Sequence, residues 1–119
     1  MNQSSALIAS LILEVPLVLA AGAAMLRWRS PAPPLSAWLQ AGLAATLLTH
    51  PFAWWLNTQA LRGVLPMWPR MLLIEALVAL AEGLLFGWLC GRWAYGLALA
   101  TAVNAFSFGL GLIWAFWLA

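Results

Sequence analysis

Four ionisable side chains stand in this sequence where charge is costly. Glu14, His50, Glu75 and Glu82 each lie within a long apolar run. A charged group in the middle of a bilayer costs roughly 2.5–3.5 kcal/mol on insertion scales. Each carboxyl must therefore be protonated, paired, or turned toward a polar interior. Carboxyls placed this way can bind a proton, a cation or a cationic group. For simple helix contact Gln would serve at lower cost, so three glutamates point to binding rather than to packing alone.

Other polar residues keep helical spacing with these four. Thr46, Thr49 and His50 share one face at i, i+3 and i+4, and Asn104 and Ser107 do likewise. Glu75 and Glu82 are two turns apart on one face, with Val78 and Ala79 between them. The pattern predicts a polar seam inside a helical bundle, formed by Glu14, His50, Glu75, Glu82 and Asn104 with Ser107, Thr46 and Thr49. At 1.5 Å per residue, Glu75 falls about 7 Å in from the side bearing the termini, and Glu14 and His50 about 10–12 Å. Glu82, Thr46 and Ser107 fall near the midplane. A plainer role for the Asn, Ser and Thr residues is interhelical hydrogen bonding, worth about 0.6–2 kcal/mol each. Gly22, Gly83, Gly109 and Gly111 would then let backbones approach.

His50 admits three roles. It is expected as a neutral imidazole hydrogen-bonded to Glu14 or Glu75. It could instead ligate a metal with those carboxylates, or serve as an axial ligand to haem or a chlorophyll-type pigment, though one His before Pro51 is no motif for either. Pro16 and Pro51 lie beside Glu14 and His50, and each frees a backbone carbonyl. No G-x-S-x-G, H-E-x-x-H or Gly-rich phosphate loop is present. Cys90 is alone and gives no thiolate spacing. The sequence thus predicts no catalytic residues and no cofactor, and leaves metal binding open.

The elements that must carry these residues are long apolar helices. Of 119 residues, 66% are hydrophobic and 7% charged, against roughly a quarter charged in soluble domains. A spanning helix needs about 20 mostly apolar residues. Four such stretches, at about 6–26, 36–56, 71–89 and 94–117, use nearly the whole length and leave no room for a second domain. The expected class is an all-α, multi-pass membrane bundle of two antiparallel hairpins.

The segment Ser30-Pro31-Ala32-Pro33-Pro34 excludes helix and makes a short stiff connector. Residues 57–70, with Gly63, Pro66 and Pro69, form the longest loop, and Cys90-Gly91-Arg92-Trp93 a tight turn. The first residues carry no basic region, and the first apolar run is too long for a signal-peptide core, so it is expected as a retained helix. Several of the nine Trp (Trp28, Trp38, Trp54, Trp55, Trp68, Trp93, Trp114, Trp117) fall near helix ends, where indoles prefer the headgroup level. Arg27, Arg29 and Arg92 outnumber Arg62 and Arg70 on the other side, which leans toward both termini outside the cytoplasm. Five dispersed arginines make no patch for nucleic acid.

The two halves align. Glu14-Val-Pro-Leu-Val-Leu-Ala-Ala-Gly22 matches Glu75-Ala-Leu-Val-Ala-Leu-Ala-Glu-Gly83 without gaps, and each is followed by Arg-Trp. Thr46-Leu-Leu-Thr49-His50-Pro51 corresponds to Asn104-Ala-Phe-Ser107-Phe108-Gly109. Residues 6–56 and 71–117 therefore read as an internal repeat related by an axis along the membrane normal.

On these residues the chain resembles a set of small bacterial four-helix integral membrane proteins of unassigned function. Their pattern is E-x-P in the first helix, T-H-P in the second, paired Glu in the third and N-x-x-S with nearby glycine in the fourth. Here it is carried by Glu14 and Pro16; Thr46, Thr49, His50 and Pro51; Glu75 and Glu82; and Asn104, Ser107 and Gly109. Thr46 stands where Asn is expected. The resemblance implies the fold and a bacterial cytoplasmic membrane, and no known activity.

The leading expectation is a non-enzymatic subunit or accessory of a membrane complex, working as a homo-oligomer or with other membrane proteins. Its glutamates would fix helix packing or bind a partner's cationic group. The alternative is a small proton or cation transporter or channel using the same seam. An intramembrane metalloenzyme is a more distant possibility.

Overall fold

A computed structural model describes residues 2–29 and 31–118. Ser30, which opens the expected connector, and the terminal Met1 and Ala119 lie outside them. Four helices follow one another: α1 (Gln3–Trp28), α2 (Leu35–Trp55), α3 (Met67–Cys90) and α4 (Trp93–Ile113). A π-helical turn extends α2 over Leu56–Ala60, and a second extends α4 over Trp114–Leu118.

Local chemistry sets the ends. Asn2 caps α1, its side chain accepting from the Ser5 N–H at 2.8 Å while Ser5 Oγ accepts from the Asn2 N–H at 3.2 Å. Pro34 and Pro66 stand at the N-caps of α2 and α3. α3 begins four residues earlier than the sequence suggests, because Pro69 falls in the first turn, where proline's missing N–H has no helical partner to lose. With α2 prolonged as well, the expected long loop shrinks to residues 61–66. The Arg70 side chain ties it down, donating from Nε to Asn57 Oδ1 at 2.9 Å and from Nη1 to the Arg62 carbonyl at 3.2 Å. Gly91 ends α3 at φ 72°, the left-handed backbone that a two-residue turn into α4 requires.

Sequential helices pack as antiparallel neighbours and α4 returns to α1; among the described residues the diagonal pairs stay apart. α3 and α4 approach most closely at one end. A Cβ on Gly96 would collide with the Gly87 backbone, and one on Gly83 would lie 2.9 Å from Leu97 Cα. Gly22 on α1 seats the indole of Trp38 in the same way. Gly109 and Gly111, expected to do likewise, face open space: a Cβ there would meet nothing within 4 Å. Trp38 itself is completely buried and tilts against Phe86 with ring centroids 6.2 Å apart. It is a core residue rather than the interfacial one its position near a helix end suggested. Trp28, Trp55, Trp68, Trp93, Trp114 and Trp117 do project outward.

Two apolar clusters fill the bundle. The larger, around Val18, Met25, Trp38, Phe86 and Val103, lies toward the α1–α2 and α3–α4 connections. The smaller is formed by Leu56, Ile74 and Val78. The outside is also apolar: Ile12, Leu48 and Trp88 are each about two-thirds exposed or more. α1, α3 and α4 are long and apolar enough to cross a membrane. The long dimension of 47 Å is comparable to a bilayer with its headgroups, about 40–45 Å. α2 is long enough at 21 residues but is made more polar by Gln40, Thr46, Thr49 and His50.

Candidate functional site

Between the two apolar clusters lies a polar layer. Glu14, Thr46, Glu82 and Asn104 are all buried, one from each helix. α1 and α2 meet where Thr46 Oγ1 donates to Glu14 Oε2 at 3.0 Å. α3 and α4 meet where Asn104 Nδ2 donates to Glu82 Oε2 at 2.9 Å. α2 and α3 meet where Thr49 Oγ1 lies 2.8 Å from Glu82 Oε1. The sequence motifs thus converge: Glu14, Thr46, Thr49, Glu82 and Asn104 form one interior constellation.

These side chains line a small, partly open cavity of about 40 Å³, room for one water molecule among polar partners. His50 lines it from α2, and Ser10 from α1. Ser10 was not singled out from sequence, although its place one turn before Glu14 puts both on one face. His50 Nε2 is buried with no hydrogen-bond partner, and the ring lies near Trp54 at 6.4 Å between centroids. The expected bond from His50 to Glu14 or Glu75 is not made. Ser107 on α4 comes within side-chain hydrogen-bonding reach of Glu14 but does not line the cavity. Among the described residues no three His, Cys, Asp or Glu side chains gather closely enough to hold a metal ion.

Glu75 stands apart. It is half-buried, makes no hydrogen bond among the described residues, and lines a separate groove on the flank of α3 and α4. The seven-residue spacing from Glu82 is real, but α3 and α4 diverge below Gly83. The earlier turns of that face therefore open outward while Glu82 turns in. Asn104 is the one residue that borders both spaces.

The hydrogen count at Thr49 ties the state of the layer to the direction of one hydroxyl proton. Thr49 Oγ1 lies 2.8 Å from the Ala45 carbonyl and 2.8 Å from Glu82 Oε1. A hydroxyl has one proton to donate and lone pairs to accept. It cannot donate to both oxygens. If it donates to Ala45, the helical i−4 carbonyl, then Glu82 must carry a proton and donate to Thr49. Asn104 has two amide protons, one for Glu82 Oε2 and one for the Ala100 carbonyl at 2.8 Å, so its side is complete.

The two hairpins repeat one arrangement. Thr46 and Asn104 each stand eleven residues beyond the first residue of their helix, and each donates to the carboxyl of the preceding helix. The contacts therefore match Glu14 with Glu82, whereas the sequence alignment pairs Glu14 with Glu75. Comparison with protein-family models, with curated proteins and with solved structures returns no match.

Proposed function

We propose that this chain is a non-enzymatic four-pass membrane protein whose interior carboxyls take up and release a proton. The observation that carries this is the arrangement around Thr49, whose single hydroxyl proton faces two acceptors and is reconciled by a proton on Glu82. Glu14 and His50 border the same small cavity. They supply a second carboxyl and a buried imidazole nitrogen without a partner, the groups between which a proton moves through one bridging water. Two matching hairpins, each with its own carboxyl and donor, support a duplicated origin for the cage.

The enclosure of Glu14 and Glu82 weighs against a role in gripping a partner subunit's cationic group, since no partner side chain reaches them without opening the bundle. The cage is complete within one chain and needs no second copy. Apolar clusters lie on either side of it, so on this reading passage of a proton across the membrane requires one cluster to part at a time. That describes a carrier rather than an open pore.

The test is reconstitution into liposomes holding a pH-sensitive dye, followed by an external acid step. Wild-type vesicles are expected to acidify faster than empty ones, and Glu82→Gln to match empty vesicles while keeping its helical content and monodispersity. Equal rates for wild type and empty vesicles, or full rates in both Glu82→Gln and Glu14→Gln, would overturn the proposal.

A further inference from the structure

We propose that the groove between the diverging halves of α3 and α4 is a binding site for a single-chain amphiphilic ammonium, its nitrogen at Glu75 and its alkyl chain running toward Leu97. The inference rests on the membrane location proposed above, not on proton uptake.

The groove has a volume of about 460 Å³, within the roughly 300–1,000 Å³ typical of small-molecule sites. Its walls are apolar, with Ala79 and Leu80 on one side and Leu97, Ala105 and Phe108 on the other. Its polar groups are unequally committed. Thr101 Oγ1 donates to the Leu97 carbonyl at 2.7 Å, and the amide protons of Asn104 go to Glu82 and Ala100. No donor remains. What faces the groove is the Glu75 carboxyl, without a hydrogen-bond partner of its own. An occupant must bring the N–H groups and the positive charge, and must be apolar elsewhere.

Shape narrows the class further. Gly83 and Leu97 close the groove at one end, where the helices touch. From Glu75 to that closure is eight residues, about 12 Å, which suits a chain of roughly ten carbons. A neighbouring helix would need a channel running the length of the hairpin. Glu75 stands eight residues into α3, about 12 Å along its axis and below the level of phospholipid headgroups. A diacyl lipid's amine stays above it. A second copy of this chain is a poor source of the cation: the sequence has no Lys, and its five Arg lie within the first or last turn of a helix or outside the helices.

The experiment measures binding of labelled dodecylammonium to the full chain in phosphatidylcholine nanodiscs, with empty nanodiscs as background. One saturable site per chain is expected, at least tenfold weaker in Glu75→Gln. Ala79→Phe, or Ala105→Phe from the opposite wall, fills the slot while keeping the carboxyl and should abolish saturation. Glu14→Gln should leave binding unchanged, so failure of the proton cage and failure of this site can be told apart. A chain removed from membranes by alkaline extraction would sink the membrane location itself. The ammonium site is overturned if no saturable component appears, if Glu75→Gln binds as wild type, or if dodecanol competes equally. Competition by phosphatidylethanolamine at its bilayer abundance, or by a Lys-bearing transmembrane peptide more strongly than by the amine, would equally replace it with a lipid or protein site.

Discussion

Glu75 and Glu82 sit two turns apart on one helix, yet the fold treats them in opposite ways. Glu82 is enclosed, with Thr49 on one oxygen and Asn104 on the other. Glu75 has no partner and opens onto the flank of the bundle. The difference comes from glycine rather than from the carboxyls. Where Gly83, Gly87 and Gly96 let α3 and α4 touch, the helices shut the layer at Glu82 away. Farther along, where no glycine stands at the contact, a groove opens between the helices and Glu75 lines it. A carboxyl's chemistry in such a bundle is thus decided by the spacing of its neighbours.

The severest way to erase the contrast is Gly96→Leu, whose side chain would occupy the Gly87 backbone. Overpacking of this kind costs about 3 kcal/mol or more; thermal unfolding in detergent should show a large loss of stability, and the separated hairpin should expose Glu82 as well as Glu75. Next is Glu82→Ala, which leaves the Thr49 and Asn104 side chains without their shared partner. A loss of about 2–3 kcal/mol is expected, against little change for Glu75→Ala in the same unfolding assay. Glu82→Gln sharpens the comparison. Its amide oxygen can accept from Asn104 and its amide nitrogen can donate to Thr49, as the protonated acid does. Stability within about 0.5 kcal/mol of wild type is expected, and a loss near 2 kcal/mol would mean that Glu82 is an ionised acceptor. Smallest of all should be Glu75→Gln, which removes no hydrogen bond and should leave the melting midpoint unmoved.

Much of this was legible from sequence because the signals were local. Apolar runs of helix length bounded by Pro, Gly and Arg gave four helices, and i, i+3, i+4 spacing placed Thr46, Thr49 and His50 on one face. The interior meeting of Glu14, Glu82 and Asn104 followed from the cost of leaving them in hydrocarbon. Glu75 escaped the same logic because a seven-residue period says only that two residues share a stripe. Whether the stripe faces inward depends on how α3 and α4 cross, which is set by glycines on both helices at once. Trp38 departs from its sequence pattern for a similar reason: its place near the start of α2 resembles an interfacial anchor, and only the gap above Gly22 makes it core. His50 was expected to find a carboxyl because both lie at similar depth, but depth does not fix direction around a helix axis.

The polarity of α2 bears on how the chain is made. α1 is apolar enough to enter lipid as soon as it is synthesised, whereas α2 carries hydroxyls and an imidazole whose partners belong to other helices. The Thr46 hydroxyl finds Glu14 only when α1 is already alongside. During biogenesis the first two segments should therefore leave the insertion machinery as a pair, and an α2 displayed alone in a test sequence should partition into the bilayer poorly.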